Sequence, residues 1–383
     1  MGLSVLGTQV LAFAMTWAAG SISGTLAGLV LTAIVLPRVL LLLVGGAVAD
    51  RAGAFRVLLL GDGVMLAVSL ALAVALSVAG LSPVLLVGAA LAIGIVDAFY
   101  LPASGTMPRR LAPGPPLAHA MAARQLTGQL AAFAGAPLGG LLVAVAGLGT
   151  AALFDAATFA VMLVVLVLIR PRGTAPEEQP VPGSSLFRSS LDGLRVVAAD
   201  RTLRLSILLV CSAAGFLLPA SALLVPLLGR QRGWTAGTAG LVVGAVALGT
   251  ATVALAVLAC RASSRPGVAG PAGLLLAAVG VVGLTLPLPS PSAVASGLVI
   301  GLGTGTFVAH IGPLILSQTP ASHMSRVQAV LVLAQSLPLL ATNTVLGTAA
   351  DVVGASAVLV TCGAAVAVAA GTALASRALA PTG

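Results

Sequence analysis

The sequence predicts an all-α membrane protein whose twelve transmembrane helices form two six-helix bundles. Three observations predict it. Residues of the AVILMFWYC set make up 59% of the chain and charged residues only 7%, whereas a soluble domain carries about 25% charged residues. Apolar runs of about 20 residues, the length that crosses a bilayer, recur twelve times. One long polar stretch, from Arg170 to Arg204, divides them six and six. With a mean hydropathy of +1.16, such a chain has too few polar groups to cover a surface in water, so lipid is its solvent.

Breaks in hydropathy at Gly/Pro/Ser clusters and at Arg place the first six spans at 2–19, 24–49, 56–79, 82–107, 118–146 and 149–169. The second six fall at 203–228, 235–260, 268–287, 291–317, 325–349 and 353–376. The first span begins at once, with no polar tail. Its eighteen or so residues reach only about 27 Å at 1.5 Å per residue, barely the hydrocarbon thickness, so a truncated first helix is expected. It has no basic stretch before it and other spans follow directly, which argues against a cleaved signal peptide.

The halves are therefore 1–169 and 203–383, joined by a linker at 170–202. The linker holds Glu177, Glu178, Pro180, Pro182, Gly183, Ser184 and Ser185, a flexible composition. Within it, 186–199 reads as a short amphipathic helix on the membrane surface.

The net charge is +9 and the pI near 11.5, a balance that in a soluble protein points to nucleic acid. Here the basic residues are all Arg and stand singly between apolar runs, so nucleic acid is excluded as a partner and topology explains them. Fourteen of the eighteen lie in loops after even-numbered spans, in the linker or at the C-terminus. Arg230 and Arg232 lie in a loop after an odd-numbered span, and Arg38 and Arg124 within spans. Basic loops stay inside, which puts the even loops, the linker and the C-terminus in the cytoplasm. Cys211, Cys260 and Cys362 sit far apart in apolar runs and read as reduced packing residues. No metal site is expected.

Ionisable residues deep in a bilayer are costly and mark a site by default. Arg38 precedes Asp50 by twelve residues and Asp97 precedes Arg109 by twelve, in helices that run the same way. Both charges then sit at one depth, about 18 Å from a membrane surface, and an Arg38–Asp97 pair would neutralise both. The functional reading makes Asp97 a protonation site whose proton affinity Arg38 adjusts; a static ion pair, or two residues facing water, is the other. Tyr100 lies one turn below Asp97, for substrate or for packing. Gln125 and Gln129, spaced i,i+4 beside Arg124, share a polar face, as glue between helices or as cavity lining. Gln335 and Asn343 carry the same two readings, and His310 reads as a bundle residue or a proton carrier. Asp62, Asp155 and Asp351 are read as caps near helix ends, and Trp17 and Trp234 as anchors at the outer interface.

Between the second and third spans the chain reads Gly45-Gly46-Ala47-Val48-Ala49-Asp50-Arg51-Ala52-Gly53-Ala54-Phe55-Arg56. This resembles the signature loop of the major facilitator superfamily, G-x-x-x-D-R-x-G-R-R/K, in the same place. Gly46, Asp50, Arg51 and Gly53 match; Ala54 and Phe55 replace the usual basic pair, and Arg56 restores one charge a position later. Gly46 permits close helix approach, Asp50 caps a helix end or pairs with Arg, and Gly53 makes the turn. A plain topological turn would use the same residues. The resemblance implies pseudo-two-fold symmetry between the bundles and a conformational latch in this loop, which helps hold the outward-facing state.

In the fifth span, Gly135-Ala136-Pro137-Leu138-Gly139-Gly140 is similar to the family's antiporter motif G-P-x-x-G-G, with the proline displaced by one. Gly135, Pro137, Gly139 and Gly140 would let helices 5 and 8 pack tightly, with or without a bearing on export. Leu36-Pro37-Arg38, Leu101-Pro102-Ala103 and TAALFDAATF at 150–159 resemble the drug:proton antiporter branch that contains macrolide and enterobactin exporters. That branch implies proton-driven export of a small amphipathic compound from a bacterial cell, across the inner membrane, by a monomer with no cofactor. The helix-4 Arg common in other drug–proton antiporters is absent, because no basic residue lies between Ser82 and Met107.

Uptake or facilitative transport of a small metabolite remains an alternative, and so do a transport-inactive sensor and an intramembrane enzyme. The chain shows no H-E-x-x-H, no G-x-S-x-G and no Gly-rich loop followed by Lys, the patterns that metal, acyl or ATP chemistry would need. Its partners are then lipid, protons and a small-molecule substrate.

Overall fold

The computed structural model of the chain describes residues 2–111, 117–169, 194–260, 265–287, 289–320 and 323–376, without the side chains at 42–47, 49, 50, 52, 105–111, 117–126, 260, 325 and 329. Helices account for nearly all of it, as lipid requires: without water, a spanning backbone must satisfy its own hydrogen bonds. In the first half α1 is Gly2–Ala19, α2 Gly24–Ala52, α3 Ala54–Ala79 and α4 Pro83–Leu111. The helical run Leu117–Ile169 breaks at Gly147, whose φ of 79° lies outside the helical region, and so supplies α5 (117–146) and α6 (148–169). In the second half α7 is Arg201–Gln231, α8 Ala236–Cys260, α9 Pro266–Thr285, α10 Ser290–Gln318, α11 Met324–Val353 and α12 Ala355–Ala375.

All twelve expected spans are present as helices, and several run past the hydropathy limits. The apolar signal stops at the bilayer edge, but backbone hydrogen bonding carries a helix on through flanking polar residues. Of the expected linker, 170–193 lies outside the described residues and 194–199 is helical. Val197 of that short helix is buried in the bundle. α7 begins at Arg201, two residues earlier than expected, because the Asp200 carboxylate caps it by accepting from the Leu203 N–H at 2.7 Å. α7 also carries two π-helical turns, at Ala213–Leu217 and Ala220–Leu224, on either side of Pro219; a proline without an N–H breaks the regular ladder there.

Within the first half α1 lies against α5 and α6, α2 against α4, and α3 against α4 and α6. The halves meet along two seams, α2 on α11 and α5 on α8. Both seams are built of glycine. A Cβ at Gly28 would run into the Asn343 carbonyl oxygen, and one at Gly347 into that of Gly24. At the other seam a Cβ at Gly140 would strike the Ala236 oxygen, and one at Gly240 the Ala136 oxygen. Close backbone approach of this kind is what small residues provide between helices in lipid. Gly240→Ala is therefore expected to lower the thermal unfolding midpoint of the purified protein, at a cost of about 1–3 kcal/mol for overpacking. Gly88→Ala, where a Cβ meets nothing within 4 Å, serves as the control. Equal midpoints for the two variants would show that the seam tolerates a methyl group.

Among the described residues, the hydrogen bonds that join the halves gather at one end, where α1 turns into α2 and α7 into α8. Asp351, near the end of α11, accepts from the Gly24 N–H at 2.6 Å and from the Thr25 N–H and hydroxyl, both at 2.8 Å. It is a cap, as the sequence suggested, but of a helix in the opposite half. Thr25 faces Thr348 at 3.2 Å, and Thr32 faces Thr344 at 3.0 Å. The Arg230 guanidinium donates to the Trp17 carbonyl at 2.8 Å and lies 4.3 Å over its ring. Trp17, only 8% exposed, is thus packed between the halves and is not a lipid-facing anchor. This end is shut.

Candidate functional site

α2 and α4 run in the same direction and lie side by side, which places Arg38 next to Asp97. Arg38 stands fourteen residues from both Gly24 and Ala52, and Asp97 fourteen from both Pro83 and Leu111, so each is about 21 Å from either end of its helix. The Arg38 guanidinium donates to the Asp97 carboxylate at 2.6 Å. The two side chains are 35% and 20% exposed, and that exposure is to a cavity of about 390 Å³. Two opposite charges at mid-depth would each be costly alone; paired, they leave a polar but neutral wall.

The cavity belongs wholly to the first half. α1 contributes Ser4, Thr8 and Gln9; α4 adds Tyr100 and Ser104; α5 adds Thr127; and Met65 and Phe159 close it from α3 and α6. A second cavity of about 290 Å³ lies in the other half between α7, α10 and α11. It occupies the position related to the first by an offset of six helices, but it is apolar apart from Thr304 and Gln335. Of these two cavities only the first is lined by charged side chains.

Of the residues singled out in the sequence, Arg38, Asp97 and Tyr100 come together in this cavity. Gln129 is half-buried and does not line it. His310 is buried in the second half, with Nδ1 2.8 Å from the Thr306 carbonyl, and lines neither cavity. The side chains of Arg124 and Gln125 lie outside the described residues. The helix-5 glycines serve two neighbours: Gly135 and Gly139 approach Gln9 and Val10 of α1, while Gly140 and Pro137 meet Ala236 and Gly244 of α8. In the loop between α2 and α3, Gly53 turns the chain with φ 84°, and Arg51 and Arg56 are exposed; Gly46 lies within α2, and the side chain of Asp50 lies outside the described residues. Among the described residues no group of three or more His, Cys, Asp or Glu is placed to hold a metal ion.

Two residues were misjudged from sequence. Asp62 and Asp155 are not helix-end caps but fully buried, 0% exposed, inside the first half. The Ser69 hydroxyl donates to Asp155 at 2.5 Å, and Asp62 lies beside Tyr100. A signal was present: Asp62, Met65, Ser69 and Leu72 recur at helical spacing and form one buried face of α3.

Beside this architecture of twelve helices in two halves, the sequence of residues 1–341 matches the family model of the Major Facilitator Superfamily. The chain belongs to that superfamily. It is a multi-pass membrane protein, a secondary transporter of a small-molecule substrate and not an enzyme. Among solved structures the chain is similar to a point mutant of the nucleoside transporter NupG, with a TM-score of 0.72, 14% identity and 98% of each chain covered. It is also similar to a bacterial homolog of the human lysosomal transporter Spinster, in its inward-facing and unoccupied conformation, with a TM-score of 0.73, 14% identity and 98% and 95% coverage. A third likeness is to a point mutant of the peptide transporter POT in complex with sulfate, at 0.72, 16% identity, and 97% and 93% coverage. At these identities the likeness is one of fold. No curated protein sequence matches the chain.

Proposed function

We propose that this transporter exports a small amphipathic compound from a bacterial cell in exchange for protons, by alternating access. The observation that carries the reading is the Arg38–Asp97 pair at mid-depth in the cavity wall. A proton and Arg38 compete for the same carboxylate, so proton binding at Asp97 frees the guanidinium and changes the wall the substrate meets. Gln9, Thr8 and Thr127 stand beside it among the cavity-lining residues, and Val5, Met65, Val96, Leu101 and Phe159 make much of the rest of the wall apolar, which suits a compound with few polar groups. No cofactor enters this scheme.

The Arg-rich loops support placing the shut end at the outer face and the C-terminus in the cytoplasm. The conformation is then the inward-facing one, with substrate entering from the cytoplasm. The halves 1–169 and 203–383, linked through 170–202, rock about the mid-depth site. The loop formed by Gly46, Asp50, Arg51, Gly53 and Arg56 then latches the cytoplasmic end in the opposite state. Export in place of uptake rests on the likeness of Gly135, Pro137, Gly139 and Gly140 and of the 150–159 segment to antiporter sequences. The chain acts as a monomer.

The test is ethidium accumulation in cells expressing the chain, followed by uptake into inverted vesicles at two pH gradients with a panel of amphipathic antibiotics. Export predicts less ethidium in energised cells and loss of the effect with a protonophore. Greater accumulation would assign uptake. Transport indifferent to the pH gradient for every compound would overturn proton coupling.

A further inference from the structure

The coupling scheme leaves out two carboxyl groups that lie directly behind the cavity wall. Met65 lines the cavity, and on the same buried face of α3 it is flanked by Asp62 one turn before and Ser69 one turn after. Asp62 and the Tyr100 hydroxyl face one another without closing to a hydrogen bond of normal length. Asp155 takes the Ser69 hydrogen bond on one oxygen, and its other oxygen is buried with no donor. α1 packs so tightly here that a Cβ at Gly7 would come within 2.7 Å of that second oxygen.

No described basic side chain reaches either group; the one cation that acts on Asp62 is the amino terminus ahead of α1, and it does so without pairing with the carboxylate. α1 carries no titratable side chain and α6 none besides Asp155. α4 presents Asp97 and Tyr100, and α2 presents Arg38, whose guanidinium is engaged by Asp97. On α3 itself Arg56 is exposed; the side chains of Arg109, Arg110 and Arg124 lie outside the described residues. An ionised carboxylate sealed from water without a counter-charge costs several kcal/mol. A neutral carboxyl leaves only ordinary polar groups to satisfy.

We propose that Asp62 and Asp155 are proton-binding sites of the amino-terminal half, loaded in this conformation and discharged when movement of α1 and α3 opens them to the cavity. Each takes one proton as its ligand, and neither touches substrate. Tyr100 connects the row: one turn from Asp97 along α4, it faces Asp62 across α3. Ser69 likewise ties Asp155 to α3. Proton binding stands on the burial of these two groups alone, whereas its use in transport rests on the coupling reading above.

The test is infrared difference spectroscopy of the full chain in nanodiscs between acidic and alkaline buffer, reading the C=O stretch of protonated carboxyls. Asp62→Asn and Asp155→Asn are each expected to remove one component, and the double variant both. Ser69→Ala keeps the carboxyl and is expected to shift the Asp155 component, which preserves the test if Asp155→Asn fails to fold. An unchanged band in all of these variants would overturn the proposal. So would a band that disappears when sodium replaces choline, since that would assign a metal cation. In ethidium transport both Asn variants are expected to lose pH-gradient dependence while downhill movement persists. If the bands are lost but gradient dependence equals wild type, proton storage plays no part in transport and that half of the proposal fails. If the wild type itself shows no gradient dependence, the coupling reading fails and the infrared result alone decides proton binding.

Discussion

Asp97→Asn is expected to abolish transport driven by a pH gradient while leaving a folded protein that still carries substrate downhill. The carboxylate is held 2.6 Å from Arg38 at the midpoint of both helices. Asn preserves the shape and one hydrogen bond to the guanidinium but cannot exchange a proton. It also leaves Arg38 without its counter-charge. Removing one partner of a fully buried pair costs about 3–5 kcal/mol. The cavity exposure of 35% and 20% lets water solvate the remaining charge, so the loss of stability falls well below that figure. Arg38→Met, which strands the anion, is expected to destabilise comparably, and the double variant Arg38→Met/Asp97→Asn to recover stability without recovering coupling. Thermal unfolding and vesicle transport, measured on the same four proteins, separate the two effects. Full gradient dependence in Asp97→Asn would remove Asp97 from the coupling mechanism.

Asp351→Ala is expected to open the shut end. That single carboxylate takes three hydrogen bonds from Gly24 and Thr25 across the interface, and it caps the first turn of α2, where the helix dipole favours an anion. Hydrogen bonds to a charged group contribute about 1.5–3 kcal/mol each when buried. Asp351 is exposed, so solvent screening reduces the sum to about 1.5–3 kcal/mol in all. Lost from one of two alternating states, that amount shifts their ratio about 10- to 150-fold. The remaining described hydrogen bonds at this end, Thr25 to Thr348, Thr32 to Thr344 and Arg230 to Trp17, are too few to compensate. The measurement is labelling of Thr32→Cys, in a protein freed of its native cysteines, by a membrane-impermeant maleimide. Labelling should rise sharply in the Asp351→Ala background and partly in Asp351→Asn, which retains one acceptor. An unchanged rate in both would show that the glycine seams alone hold the end shut.

The Arg38–Asp97 pair was legible in the sequence because depth along a helix is a matter of counting. Each residue advances the chain by about 1.5 Å, and two parallel helices anchored by Arg at the same surface bring equal counts to equal depth. Asp62 and Asp155 were not legible, although the same counting applied to them. Each lies only six residues inside the start of its expected span, at 56 and 149, so they read as caps. What places them is azimuth, the face of the helix on which a side chain leaves, and azimuth has meaning only against a neighbouring helix. The helix-5 glycines show the same division: their smallness was plain, but which of them meets α1 and which meets α8 was not.

By itself, then, the sequence determined that the chain crosses the bilayer twelve times, that it does so in two halves, and that two opposite charges share one depth. These follow from hydropathy and helical rise, which act locally and need no partner. Only the tertiary structure decided that Asp351 reaches the start of α2 in the other half, that Trp17 lies beneath Arg230, and that two further carboxyls are sealed behind the cavity. Those contacts depend on how helices rotate and dock against one another. Close packing of glycine-lined seams selects that arrangement, and no stretch of the chain encodes it alone.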